Sequence, residues 1–311
     1  MLFAAQNLFS TILKLASLQI ENSPFGLKHS ICSCFASLRM VPEKILIRAQ
    51  STPFHFFRNL KKKDKAMARF FIPQPRIEKG MLKIEGSEVR HIRRALRLKA
   101  GDGIVVFDGS GKEYEGTIFE GGPSSVLIEI QNIISVKRES PLEITLAQSL
   151  LKGEKMDYLI QKATELGVKE IIPFFSSRSV PLLDKSKRLK RYHRWERIAV
   201  EASKQCGRGV IPRIEPLQDY FEMLQAPSPD SLRLILWEKE GARLKEVLRV
   251  SEEKTKIFFV VGPEGGVSNE EVEHAKRAEF IAVNLGKRIL RSETASLCLL
   301  GILQYEWGDI G

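Results

Sequence analysis

The sequence predicts two folded parts in series: a small β-barrel over residues 67–138, then an α/β domain with a mostly parallel sheet over residues 139–311. Three observations carry that prediction. Between Arg69 and Arg138, short strand-like runs recur with Gly- and Asp-rich turns between them. From Glu143 onward, strand-like runs alternate with helical periodicity, the pattern of a parallel sheet with helices on its faces. Finally, Ile257–Val261 and Phe280–Leu285 each lead through a glycine-bearing turn into a helix start. Two such loops lie at one edge of one sheet, where open α/β sheets bind ligands.

In the first part, Arg69–Ile72, Leu82–Ile84, Gly103–Phe107, Tyr114–Phe119 and Val126–Ile130 have strand character. Gly101-Asp102-Gly103, Asp108-Gly109-Ser110-Gly111 and Gly121-Gly122-Pro123 punctuate them, a spacing that suits a small barrel. One helix interrupts it. Ser87 is its expected cap, and it runs from Glu88 to Arg97 with Val89, Ile92 and Leu96 on one face. Arg90, Arg93, Arg94 and Arg97 fall mostly on the others. By composition alone, a basic helix face is a solvated face.

In the second part, Ile144–Ala147 is a strand. Met156, Leu159, Ile160, Ala163 and Leu166 then fall at helical spacing until Gly167 closes the helix. Ile171–Phe175 is the next strand, Ser186–Lys204 a long helix, and Leu232–Trp237 a further strand. The Met and aromatic positions in these segments fill the core. After Val261, the turn Gly262-Pro263-Glu264-Gly265-Gly266 supplies positions for positive φ or close backbone approach to a ligand. Ser268 caps the following helix, with Glu270 and Glu271 in its first turn. After Leu285, Gly286 turns the chain and Ser292 is the expected cap of the terminal helix. Thr294–Tyr305 is apolar around most of its circumference, as a buried interface helix is.

Composition is that of a globular protein, with 43% apolar and 28% charged residues. No apolar run approaches the roughly 20 residues that span a bilayer. Cys32, Cys34, Cys206 and Cys298 form no metal-like pair of pairs, so neither structural zinc nor any other metal is expected. The net charge of +11 is unevenly spread. Residues 1–66 hold ten Lys or Arg against Glu21, Glu43 and Asp64, leaving only +4 for the rest. Local clusters, not total charge, must therefore argue for nucleic acid. Residues 1–66 read as a non-fold extension with two explanations. One is a basic, acid-poor organellar transit segment; the other is an over-extended reading frame whose true start is Met67.

A glycine turn alone is a weak signal. Joined to Leu285-Gly286-Lys287-Arg288-Ile289-Leu290-Arg291-Ser292-Glu293-Thr294-Ala295, the turn at 262–266 resembles the signature of the SPOUT methyltransferases. The closer resemblance is to the family that methylates N3 of a uridine in bacterial small-subunit (16S) ribosomal RNA. That resemblance spans about residues 67–307, and Met67-Ala68-Arg69-Phe70-Phe71 matches the family's usual beginning. It implies a PUA-like RNA-binding barrel ahead of a trefoil-knotted SPOUT domain that holds S-adenosylmethionine in a bent conformation. It also implies a homodimer with RNA lying across both subunits, and a place in the bacterial cytoplasm, or in a chloroplast or mitochondrion if residues 1–66 are a transit segment.

By the same resemblance, the cofactor contacts fall at Leu236, Glu238, Val261, Gly262, Pro263, Glu264, Gly265, Gly266, Leu285, Gly286, Ile289, Leu290, Thr294 and Ala295. Glu238 reads equally well as an ordinary exposed loop acid. His91 to Asp102 resembles the His-x-x-x-x-Leu-Arg-x-x-x-Gly-Asp pattern of the PUA-like domain, which points His91, Arg93, Arg94 and Arg97 toward RNA. Lys152 and Arg208, the latter in Gln205-Cys206-Gly207-Arg208, are the other expected RNA contacts, and Arg178 and Arg291 the expected catalytic residues.

Methyl transfer from a sulfonium to a ring nitrogen is an in-line displacement in which alignment supplies much of the acceleration. Uridine N3 carries a proton near neutral pH, so its anion needs stabilising, and a cation on the second loop such as Arg291 suits that task. The alternative for Arg291 is a simple pairing with Glu293 or Glu264. No histidine lies near the two loops in sequence, and none is assigned as a base. Two rival readings remain: a non-catalytic RNA-binding or ribosome-assembly protein, and a SPOUT enzyme acting at another RNA position. An NAD-linked Rossmann enzyme is disfavoured, because Leu150-Leu151-Lys152-Gly153 stands where Gly-x-Gly-x-x-Gly would be needed.

Overall fold

Two sheets organise the chain in the computed structural model, which describes residues 67–136, 138–179, 184–251 and 253–311. The expectations for residues 1–66 lie outside the described residues. The first sheet comprises β1 (Ala68–Phe71), β2 (Ile77–Glu78), β3 (Met81–Glu85), β4 (Gly103–Phe107), β5 (Lys112–Gly121) and β6 (Ser125–Ser135). Their order is β1-β4-β5-β6-β3-β2, antiparallel except where β1 pairs with β4. Period-two alternation sends Leu82, Ile84, Ile104, Val106, Val126 and Ile128 into one core with Phe70. Register shifts at Glu115/Gly116 and Ile118/Glu120 bend β5 along its pairing with β6.

The helix in this part departs from expectation. Helix α1 (Ser87–Arg90) continues as a π-helical turn, His91–Ala95, and stops short of Arg97. Gly86, not Ser87, occupies the cap position, with no side-chain capping bond. The wider π turn rotates Leu96 off the core face. Val89 and Ile92 are buried as expected, but Leu96 is 43% exposed.

The second sheet is parallel at every pairing among the described residues. It comprises β7 (Glu143–Ser149), β8 (Glu170–Phe175), β9 (Arg213–Ile214), β10 (Gln218–Asp219), β11 (Leu232–Leu236), β12 (Ala242–Arg243), β13 (Lys256–Val261) and β14 (Ile281–Asn284). The order is β10-β8-β7-β13-β11-β14-β12, with β9 also on β8. Six helices accompany it: α2 (Lys155–Glu165), α3 (Lys185–Cys206), α4 (Tyr220–Leu224), α5 (Leu244–Val250), α6 (Asn269–Arg277) and α7 (Ser292–Trp307).

A parallel sheet must be covered on both faces, and alternation along each strand supplies two cores. Ile144, Leu146, Leu234, Ile257 and Phe259 pack with Leu159, Trp195, Val247 and Leu299 from α2, α3, α5 and α7. Ile172, Phe174, Ile235, Phe258 and Val260 pack with Met223 and Val272 from α4 and α6. Strand order reverses around β7 and β13, so the C-terminal ends of β13, β11 and β14 open on a switch-point crevice. β14 lies near one edge, yet α7 after it packs back on α2, β7 and β13. That return course brings the loop after β14 back against the loop after β13.

Candidate active site

The crevice at the ends of β11, β13 and β14 is a cavity of about 610 Å³, within the range of small-molecule sites. Its walls come from three loops: Leu236, Trp237 and Glu238 after β11, Val261 to Val267 after β13, and Leu285, Gly286 and Arg288 to Ser292 after β14. Lys155 and Ala295 close it from α2 and α7. The two glycine-bearing loops therefore do meet, with β11 between their strands.

The glycines divide their duties differently from expectation. Gly266 takes φ 70°, and a Cβ there would lie 3.1 Å from Glu238 Oε1. A Cβ on Gly262 would come within 2.6 Å of Val267 Cγ2, so the turn closes only around glycine. Gly265 needs neither property: its φ is ordinary, and a Cβ would only touch Arg178 at 3.5 Å. Its carbonyl instead accepts a hydrogen bond from Arg178 Nη1 at 2.9 Å. Arg178 thus braces the first loop from outside.

A buried polar cluster ties the loops together. Gln148, at the C-terminal end of β7 and fully buried, donates through Nε2 to Gly262 O (3.4 Å) and Ser292 Oγ (3.0 Å). Ser292 Oγ donates to Gly262 O at 2.6 Å, and Ser296 donates to Gln148 Oε1. Ser292 is consequently not the cap of α7. Arg291 holds that position in extended conformation, and the Ser292 hydroxyl is spent on the neighbouring loop. Ser268 does cap α6, in a reciprocal capping box with Glu271.

Glu264 reaches α2, accepting from Lys152 N (3.1 Å) and Lys155 Nζ (3.0 Å). Partial burial opposes its ionisation, but the backbone donors and Lys155 outweigh that and hold its carboxyl below the usual range. Lys155 Nζ also stands 3.8 Å from Glu293. Both acids that Arg291 would pair with are therefore engaged by Lys155. Arg291 is exposed, lines the cavity, and makes no ion pair among the described residues. Arg288 lines the same wall, and Ile289 between them is 85% exposed. Thr294 is the one expected cofactor contact that does not line the cavity: it sits on the outer side of α7, while Ala295 turns inward. Gln148, Lys155, Arg288 and Ser296 were not foreseen. A Gln-Ser pair ending an apolar strand was the available signal for the first, since strand C-termini carry site residues in this class of sheet.

Comparison with known proteins accords with this geometry. A family model described as an RNA methyltransferase domain matches residues 138–304, and one described as an RNA methyltransferase PUA domain matches residues 84–131. The ribosomal RNA small subunit methyltransferase E of Bacillus subtilis (strain 168) is 32% identical over 248 residues, covering 77% of this chain and 97% of that protein. The chain belongs to the ribosomal RNA small subunit methyltransferase E family. A crystal structure of the Neisseria gonorrhoeae family member bound to S-adenosyl methionine is 35% identical with a TM-score of 0.72, covering 79% of this chain and all of that one. A Legionella pneumophila methyltransferase in complex with the same cofactor is 32% identical with a TM-score of 0.73, covering 78% of this chain and 99% of that one.

Within this chain, the expected RNA contacts divide. Arg93, Arg94 and Arg97 are exposed, with Arg93 Nη1 donating to Gly122 O at 3.1 Å. His91 is half-exposed, edge-on to Phe70 and 3.6 Å from Glu88. Lys152 presents an exposed side chain beside the cavity loop. Arg208 is the correction. Its side chain is 8% exposed, with Nε and Nη2 on Glu139 (2.9 and 2.8 Å) and Nη1 on the carbonyls of Thr164 and Val168. A guanidinium so engaged is structural, out of reach of RNA. No group of His, Cys, Asp or Glu among the described residues has the arrangement of a metal site, and no helix among them is long and apolar enough to cross a membrane.

Proposed function

We propose that the protein methylates N3 of a uridine in small-subunit ribosomal RNA, using S-adenosylmethionine bound in the cavity between the loops at 262–266 and 285–291. The observation that carries this reading is the cavity itself: backbone-rich walls at a parallel-sheet switch point, with an unpaired arginine at one side. The lining fits a nucleoside cofactor. The positive φ of Gly266 and the space-filled turn at Gly262 bring backbone rather than side chains to the ligand, and Leu236, Pro263, Leu285 and Leu290 offer apolar contact to an uncharged base.

S-adenosylmethionine supplies an electrophilic methyl group on a sulfonium. The chain's part is placement. The Gln148–Ser292–Ser296 cluster fixes the two loops relative to one another, which holds the reacting atoms in line. Arg178 and Lys155 brace the first loop at Gly265 and Glu264. The Arg291 guanidinium stabilises negative charge on the uracil oxygens as N3 releases its proton to solvent water. Exposed Arg93, Arg94 and Arg97 contact phosphates, with His91 and Lys152 as further RNA contacts.

A homodimer completes the reading. α7 exposes Thr294, Cys298 and Tyr305 at i, i+4 and i+11 along one side, a face suited to a second copy. Light scattering tests that state. The cytoplasm of a bacterium is the expected location, or an organelle if residues 1–66 direct import. The function is tested by incubating the full chain with labelled S-adenosylmethionine and transcribed small-subunit ribosomal RNA or isolated subunits, then identifying the labelled nucleoside. Label in 3-methyluridine supports the proposal; label in another nucleoside moves it to a different RNA position.

A further inference from the structure

We propose that the solvent side of α3 is a second binding surface for the RNA backbone, linking the basic helix α1 to the methyl-transfer cavity. This rests on the RNA-methyltransferase reading above and extends it to a surface with no assigned role. α3 carries eight Lys or Arg against only Glu196 and Glu201, and its first turn holds no acid. Cations at a helix N-terminus oppose the macrodipole, so folding alone does not favour them there.

The charges are ordered. Lys187, Lys190, Arg194 and Arg197 recur at i, i+3, i+7 and i+10, and all four are exposed. Trp195, Ala199 and Ala202 bury the opposite side. The stripe presents one cation per turn, about every 5 Å along the axis. Some of its charge is met within the chain: Lys187 by Asp184 at 3.1 Å, Arg194 by Asp157 at 2.6 Å. His193 faces Glu196, and Arg188 lies over the Phe175 ring. Lys190, Arg191 and Arg197 have no hydrogen bond or ion pair among the described residues. Like charges three and four residues apart repel one another, and an external polyanion relieves that repulsion. Long flexible cations in a row suit phosphates rather than base edges.

The stripe touches two parts already described. Midway along α3, Arg194 meets Asp157 of α2, the helix whose first residue, Lys155, lines the cavity. At its far end, Lys204 Nζ meets Glu88 of α1 at 2.8 Å, next to Arg90 and the exposed arginines that follow. The stripe thus joins the barrel to the helix that carries Lys155.

The test replaces Lys190, Arg191 and Arg197 together by Ala in the full chain, residues whose loss breaks no internal bond. Binding of transcribed small-subunit ribosomal RNA is followed across a salt series. The log–log salt slope should fall by about two, and Kd near ~0.15 M salt should rise about tenfold or more. S-adenosylmethionine affinity and the thermal midpoint should match wild type, and the charge-conserving variant Lys190→Arg/Arg191→Lys/Arg197→Lys should keep wild-type binding. An unchanged slope and Kd would overturn the proposal. So would unchanged RNA binding accompanied by lost binding to anionic phospholipid vesicles, which would assign the stripe to a membrane surface. A wild-type chain that binds neither cofactor nor RNA would sink the functional reading itself, a separable outcome.

Discussion

Arg291 and Gly266 are the residues on which the proposed mechanism turns. Arg291 is exposed at the cavity, and its candidate acid partners are engaged by Lys155. If it stabilises charge on the uracil ring, Arg291→Ala should lower the single-turnover methylation rate by about two to three orders of magnitude at saturating cofactor. Cofactor affinity should hardly change. Equal losses of rate and cofactor binding would make the residue structural. The glycines give a paired test. Gly266→Ala forces a Cβ into a left-handed conformation costing about 1–2 kcal/mol and crowds Glu238, so calorimetry should show weakened or lost S-adenosylmethionine binding. Gly265→Ala, where the added methyl makes only ordinary contact with Arg178, should bind within a few-fold of wild type. Equal effects at the two positions would contradict the geometry of the loop.

Among the elements, the loop after α3 shows how a motif can mislead. Gln205-Cys206-Gly207-Arg208 resembles an RNA-contacting turn, but Arg208 is sealed against Glu139, whose Oε1 also accepts from Gly209 N and Val210 N. Breaking a buried pair is costly, so Arg208→Ala should destabilise the protein by about 3–5 kcal/mol, read from the urea midpoint. The RNA salt slope of the folded variant should stay as in wild type. A normal midpoint with weakened RNA binding would return Arg208 to the interface.

The long strands and helices were legible because burial imposes periodicity on them. β7, β8, β11, β13 and β14 and helices α2, α3 and α6 all lie where their patterns place them. The two-residue edge strands β2, β9, β10 and β12 carry too little pattern to be seen. Caps were half legible. Ser268 behaves as its type suggests, whereas Ser87 and Ser292 are one residue inside their helices, and Ser292 is diverted to Gly262 by a contact 30 residues away in sequence. Local propensity cannot register such a tertiary partner. The cavity walls were readable for a related reason: loops at strand C-termini are fixed by topology, while Lys155 and Gln148 reach the site only through packing.

The chain divides at Met67, and every residue of the proposed chemistry lies after it. A fragment of residues 67–311 should therefore bind S-adenosylmethionine as the full chain does. A fragment that fails to fold, or binds about tenfold more weakly (about 1.4 kcal/mol), would sink that division. The barrel, α3 and the cavity would then act as one RNA-reading unit, with phosphate contacts on the first two and the reacting base at the third. The most direct measurement of the central claim is nucleoside mass spectrometry of small-subunit ribosomal RNA from cells lacking the protein. 3-Methyluridine should disappear, return with the wild-type chain, and fail to return with Arg291→Ala. Undiminished 3-methyluridine in the deficient cells would contradict it.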